Sequence, residues 1–335
     1  MYKLIDQFPF HLKDGLSTIM ITSPTIESID NIVIAGMGGS GIGAEFIKSW
    51  INNKCQVPIH ISKDYHIPYF VNKNTLFIAS SYSGNTEETL NATMLAEKKG
   101  AHIAVISSGG QLLDQAKKKN WTNIQLPENI PAPRAALGYS VTAQLRLIQA
   151  YDLLGENITP AIKDAISSLI YWKEEIQHQA QVIAGKINGK MPVIYSSSEL
   201  EPVALRFRQQ LAENSKCLSW NHTLPEMNHN ELVGWTTLNP NLVSIFIRSS
   251  NECEKLLTRM KITQDVVSKY SGYHIELWSK GRGLIGESLY LLHLLDWVSY
   301  YVAEQQGVDV MEIDVINYLK EKLAEIKNEE ELKVA

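Results

Sequence analysis

Cysteine is scarce in this sequence. Cys55, Cys217 and Cys253 are 3 residues in 335, odd in number and without C-x-x-C spacing. That pattern excludes a disulfide framework and a paired-cysteine zinc site, and predicts free thiols in a reducing cytoplasm. An uninterrupted hydrophobic run is lacking too. The opening MYKLIDQFPFHLKDG has no apolar core of the kind a secretory signal needs. The most apolar long stretch, 283–302, is broken by Glu287, His293 and Asp296, which marks a buried core helix and not a membrane span. Nor is there an excess of positive charge. A net charge of −5 gives no general attraction to nucleic acid. The 9 histidines form no H-x-H or H-E-x-x-H spacing. Neither a zinc ion nor any other cofactor is expected.

What is present is apolar material in a regular order. Hydrophobic residues make up 44% and charged residues 20%, enough for more than one core, and 335 residues predict two domains. Val- and Ile-rich runs at 31–35, 57–61, 76–80 and 102–107 read as strands, and helical periodicity follows at 42–52, 86–99, 112–119 and 135–154. Strand then helix, repeated, implies a parallel sheet covered on both faces, because parallel strands need crossovers. The second half repeats the plan. Pro192-Val-Ile-Tyr-Ser-Ser-Ser198 echoes the strand at 31–35, Val243-Ser-Ile-Phe-Ile-Arg-Ser-Ser250 echoes 76–81, and Gly272-Tyr-His-Ile-Glu-Leu-Trp-Ser279 echoes 100–107. The order is kept and the spacing drifts only by loop-sized insertions, as expected of two copies of one α/β domain. The expected division is residues 1–155, a polar helical connection at 156–186, and 187–335. The second unit ends in a C-terminal helix, with a solvated charge run at 327–333.

Two polar loops stand out. Gly36-Met-Gly-Gly-Ser-Gly41 leaves the first strand and opens a helix, where glycines let the backbone approach an anion and the helix N-terminus offers unpaired N–H groups. The same string fits a dinucleotide fingerprint, but that reading requires an acid ending the second strand. Ser62 and Lys63 stand there, and Asp64 is two residues late. Ser80-Ser-Tyr-Ser-Gly-Asn-Thr-Glu87 leaves the third strand with hydroxyls at Ser81, Ser83 and Thr86, and Thr86 is placed as a helix N-cap. In a parallel sheet ligands bind beyond the carboxyl ends of the strands, so both loops reach one crevice. Glycine amides and hydroxyls, with no Walker lysine after the glycines, suit a monophosphate.

The S-x-S-G-x-T string at Ser81–Thr86 resembles the phosphate loop of sugar-isomerase (SIS) domains. The first glycine loop, Pro133-Arg134-Ala135, Glu213-Asn-Ser-Lys216 and Pro225-Glu-Met-Asn-His-Asn230 together resemble the bifunctional phosphoglucose/phosphomannose isomerase family across almost the whole chain. The resemblance implies two tandem SIS domains, each a flavodoxin-like, doubly wound parallel sheet flanked by helices. It also implies a homodimer and metal-free interconversion of glucose 6-phosphate or mannose 6-phosphate with fructose 6-phosphate. Ser81, Ser83 and Thr86 would hold the phosphate, and Gly38, Gly39 and Ser40 would line the sugar. Arg134 would face the reacting carbons, Glu213 would be the base, His229 would come from a neighbouring subunit, and Lys320 resembles the lysine of the family's last helix.

The chemistry asks for such groups. A carboxylate such as Glu213 can carry a proton between C1 and C2 through a cis-enediol, and a histidine titrating near neutrality suits ring opening. His222 rivals His229 for that task on position alone. Arg134 would stabilise charge on the enediolate oxygen. Alternatives are a non-catalytic phosphosugar sensor, which usually carries a basic helix-turn-helix segment, or an SIS isomerase for another phosphosugar. No partner is expected among nucleic acids or membranes.

Overall fold

The computed structural model describes residues 1–21 and 28–334. Two short helices, α1 (Tyr2–Asp6) and α2 (Phe8–Gly15), precede a first sheet. Its strands are β1 (Met20–Ile21), β2 (Asn31–Ala35), β3 (Ile59–Ser62), β4 (Thr75–Ser80), β5 (His102–Ser107) and β6 (Thr122–Gln125), in the spatial order β1-β6-β5-β4-β2-β3. All neighbours are parallel except β1, which runs antiparallel on β6. Helices α3 (Gly38–Ile51), α4 (Glu87–Lys98), α5 (Gly110–Lys118) and α6 (Leu137–Ala150) cover it. The order β3-β2-β4-β5-β6 is the doubly wound, flavodoxin-like one, with its switch point between β2 and β4.

Alternation along each strand sends apolar side chains to both faces, as a parallel sheet requires. Val33, Ala35, Phe77, Ala79 and Val105 pack with Ala92 and Ala96 of α4 and Leu112 and Ala116 of α5. Ile32, Ile34, Ile78 and Ile106 face the other way, toward α3 and α6, in a core that continues into the second half.

That half begins with α7 (Thr159–Tyr171) and α8 (Lys173–Ile187), followed by β7 (Met191–Ser197), α9 (Glu201–Ser215), β8 (Trp220–Leu224), β9 (Asn239–Arg248), α10 (Glu254–Val267), β10 (Ser271–Trp278), α11 (Gly283–Gln306) and α12 (Asp314–Val334). Its sheet is all parallel, in the order β10-β9-β7-β8. This repeats β5-β4-β2-β3 strand for strand, so the duplication seen in the sequence is a duplication of topology. The buried stretch 283–302 lies within α11. Its polar side chains are engaged at Glu287 with a serine loop, at His293 Nε2 with Trp297, and at Asp296 with Arg206, while His293 Nδ1 is buried without a hydrogen-bond partner among the described residues. Among the described residues no helix is long and apolar enough to cross a membrane.

The differences from expectation have local causes. The first sheet is not purely parallel, because the two-residue β1 caps its edge. Strand β6 escapes detection because only Ile124 of Thr122-Asn-Ile-Gln125 is apolar. The strand expected at 57–61 begins two residues later. The helix expected over 135–154 is a 3₁₀ turn, Pro133–Ala136, followed by α6, and it ends before Asp152, whose φ is 53°. The polar stretch before the second sheet is two helices divided at Trp172, and both pack along α11. The charge run at 327–333 lies, as side chains, outside the described residues.

Candidate active site

The site begins where β2 and β4 end side by side, with Ala35 paired to Ala79. Beyond β2 the chain turns at Gly38, with φ +50°, into α3, and none of the described residues comes within 4 Å of where a Gly38 Cβ would project. Ser40 is buried, and its carbonyl accepts from Gln144 Nε2 at 3.3 Å. At Gly39 a Cβ would lie 3.3 Å from the Pro133 carbonyl oxygen and 3.5 Å from Arg134 Cα. Glycine there lets the Arg134 segment lie against the loop. No acid ends β3; Lys63 follows it and pairs with Glu45.

Beyond β4, Ser81 and Thr86 place their hydroxyl oxygens 2.8 Å apart, and Gly84 N–H donates to Ser81 Oγ at 3.2 Å. Thr86 stands at the N-cap position of α4, as the sequence predicts, but its hydroxyl makes no cap bond. The first turn of α4 is therefore not capped by Thr86, and Ser83 is exposed beside it. Gly84, at φ +68°, is held so tightly against the loop after β5 that a Cβ would fall 1.8 Å from the Gly109 carbonyl oxygen. That loop, Gly109-Gly110, is a support the sequence reading missed.

Arg134 joins the two halves. It is 5% exposed. Its Nε donates to Asn214 Oδ1 at 2.9 Å, its Nη2 to the Val310 carbonyl at 2.6 Å, and its Nη1 lies 3.5 Å from Glu213 Oε2. Burial lowers the Arg134 pKa from its ordinary value, and the Glu213 carboxylate works against that shift. Its backbone is fixed as well, because Arg206 Nη2 donates to the Arg134 carbonyl at 2.8 Å. Arg206 is locked in turn by a buried two-pronged pair with Asp296, at 3.2 and 3.0 Å. Removing one member of such a pair typically costs about 3–5 kcal/mol.

Glu213 stands in the last turn of α9 and is half-buried. Lys216, at φ 53°, closes that helix and donates to the carbonyls of Glu213, Asp309 and Glu312 at 2.9, 2.7 and 2.8 Å. The α11–α12 connection is thereby tied to the base of the site. Lys320, on α12, lines a groove of about 1140 Å³ together with Ser83, Asn85, Thr86 and Gln111. His229 lies elsewhere. It is exposed on a 3₁₀ turn, Glu226–His229, and among the described residues its side chain makes no hydrogen bond or ion pair. The rival His222 is engaged, with Nδ1 2.8 Å from Glu231 Oε2.

The SIS-domain family model matches residues 25–153, and the model of the bacterial phospho-glucose isomerase C-terminal SIS domain matches 176–323. A protein of Caldicellulosiruptor bescii named bifunctional phosphoglucose/phosphomannose isomerase is 35% identical over 314 residues, covering 90% of this chain and 92% of that one. The chain belongs to the bifunctional phosphoglucose/phosphomannose isomerase family. An Aquifex aeolicus protein of the same name is 34% identical over 297 residues, with 87% and 90% covered. Among solved structures, the C-terminal domain of glucosamine-fructose-6-phosphate aminotransferase from Francisella tularensis aligns with a TM-score of 0.72. It covers 92% of this chain and 97% of that one, and at 16% identity it speaks for the fold alone.

The family resemblance and the pair of SIS domains expected from the motifs are therefore borne out. Within this family member, the structure gathers Gly39, Arg134 and Glu213 at one place, and Ser81, Ser83, Thr86 and Lys320 around the adjoining loop and groove. It leaves His229 apart. Sequence reasoning missed Arg206, Asn214, Asp296 and Lys216. Asn214 and Lys216 sit inside a motif already quoted, whereas Arg206 and Asp296 carry no local signal.

Proposed function

We propose that this protein is an aldose–ketose isomerase that interconverts glucose 6-phosphate and mannose 6-phosphate with fructose 6-phosphate. The relatives' names carry phosphoglucose and phosphomannose. The observation that carries the reading here is the Arg134–Glu213 pair, 3.5 Å apart, with Arg134 packed against Gly39 of the glycine loop.

The phosphate would sit on Ser81, Ser83, Thr86 and the first turn of α4, whose N–H groups favour an anion. Lys320 would add a positive charge from across the groove. Gly38, Gly39 and Ser40 would bound the sugar. Glu213 would take the proton from C2 of the aldose and return it to C1, while the hydroxyl protons exchange between O1 and O2 in a cis-enediol. Arg134 would hold the oxygen on which charge develops, a role whose loss typically costs about 3 kcal/mol in barrier. No step of this route uses a metal.

A homodimer completes the proposal, with His229 of the partner subunit opening the sugar ring. Support comes from topology. Helix α9 returns from the end of β7 to the start of β8, and Cys217 Sγ lies 3.5 Å from the Lys190 carbonyl just ahead of β7. Glu213 is thus near the N-terminal edge of the second sheet. Strand β8 then runs parallel to β7 and ends with Leu224 opposite Ser197, so His229 follows at the other edge. Five strand residues span roughly 17 Å. This placement of Glu213 and His229 at opposite edges of one sheet supports a site shared between two copies. A cytoplasmic location belongs to the same reading, since Cys55, Cys217 and Cys253 are unpaired thiols.

Supplying fructose 6-phosphate in chelator and following both aldose 6-phosphates separately tests the proposal. Formation of both is expected. Binding without turnover would overturn it and favour a sensor.

A further inference from the structure

The halves repeat their loops as well as their strands. Strand β9 ends at Arg248 and continues into Ser249-Ser250-Asn251, the counterpart of the serine loop after β4. The first loop presents Ser83 and Thr86 to an open groove. The second is filled from within. Glu287, in the second turn of α11, is 1% exposed. Its Oε1 accepts from Ser250 Oγ at 2.7 Å and from Asn251 Nδ2, and its Oε2 accepts from Ser249 Oγ. The loop is braced behind these contacts, with Ser250 N–H donating to Ser279 Oγ at 3.1 Å and Asn251 N–H to Ser249 Oγ at 3.0 Å. Gly281, at φ +109°, folds the β10–α11 connection over this turn so closely that a Cβ would lie 2.7 Å from the Gly286 carbonyl carbon.

Among the described residues no lysine or arginine pairs with Glu287. Two hydroxyls and an amide hold it, all neutral donors. A buried carboxylate is tolerated only when its lone pairs are filled, and these are filled by a serine-rich loop at the carboxyl end of a parallel strand. That is the kind of donor set and position at which the first half offers Ser81, Ser83 and Thr86.

We propose that the second loop is a phosphate cradle closed by an internal anion, with the Glu287 carboxylate standing where the first repeat takes the phosphate of its substrate. The inference rests on the reading of Ser81–Thr86 as the phosphate loop. It gives the chain one phosphosugar site and assigns the second repeat to supplying Glu213 and Asn214 from its opposite edge. It also makes the second loop a latent oxyanion site, opened by removing one carboxylate.

The test is calorimetric titration of the full chain with inorganic phosphate, together with melting temperatures in phosphate and in acetate. Glu287→Ala should bind one more phosphate per chain than its parent, and its melting temperature should climb more steeply with either anion. A folded Glu287→Ala with the parent's stoichiometry and anion response would overturn the proposal. If this variant does not fold in plain buffer, it is refolded from urea with and without phosphate. Recovery only with the anion supports the proposal, and recovery with neither overturns it. Glu287→Gln keeps the shape and removes the charge. It should melt below the parent and gain no phosphate, and melting at the parent's temperature would count against the proposal. These comparisons are each made with the parent chain, so they stand apart from the first-loop reading. That reading fails separately if Ser81→Ala/Thr86→Val retains the parent's phosphate affinity.

Discussion

Asn214 Oδ1 accepts a hydrogen bond from Arg134 Nε at 2.9 Å, and its orientation is set from the other side of the amide. Ser299 Oγ donates to the Asp296 carbonyl at 2.7 Å, which leaves it to accept from Asn214 Nδ2 at 3.0 Å. The amide cannot flip without breaking two bonds, so Arg134 meets a fixed acceptor. Asn214 is a positioning residue, acting through the guanidinium.

Asn214→Ala removes a hydrogen bond to a charged group, typically worth about 1.5–3 kcal/mol. Turnover should fall roughly 10- to 100-fold with KM nearly unchanged. In an Arg134→Ala background the same substitution should add little further loss in kcat. Full additivity of the two losses would show that Asn214 acts only on the fold.

Acid should destabilise the protein through His293. Burial holds its pKa down, to about 4, and its Nε2 accepts from Trp297 Nε1 at 3.3 Å, which only the neutral ring can do. The unfolded chain binds that proton near pH 6.5 and the folded chain does not, so the unfolded state carries more protons between the two values. Stability from this group is complete above about pH 6.5 and is lost as pH falls toward 4, by about 3 kcal/mol at most. Urea midpoints at several pH values check this. His293→Phe, which keeps a ring beside Phe8, should flatten the slope across that window.

Mixing two inactive variants tests the shared site. Glu213→Ala and His229→Ala chains should each lack activity alone. When unfolded together and refolded, they should form mixed dimers with one intact site in two, recovering a fraction of wild-type turnover. No recovery in a confirmed mixed dimer would place His229 outside the reaction.

Much of this was legible in the sequence because parallel strands buried on both faces show as short β-branched runs, and because glycine and hydroxyl residues mark strand-to-helix turns. The repeat was visible for the same reason: Ile245 and Ile247 stand in β9 as Leu76 and Ile78 stand in β4, fully buried in the same core. What escaped depends on contacts between distant elements. Nothing near Asp296 in sequence announces Arg206, and an acid in an apolar helix shows only that some partner exists. Strand β6 escaped because Asn123 is buried there, with its amide donating to the Trp121 carbonyl at 2.9 Å. The serine loop after β9 looked like a second copy of the first, and only the packing of α11 reveals that a carboxylate fills it.

The role of Glu213 is the central claim, and Glu213→Gln tests it most directly. Fructose 6-phosphate is bound to the variant in D₂O while deuterium entry at C1 and the formation of both aldose 6-phosphates are followed. Binding within a few-fold of wild type is expected, with proton exchange and turnover both lower by about 10³-fold. Exchange and turnover near the wild-type rate would show that another group moves the proton, and would contradict an isomerase built on the Arg134–Glu213 pair.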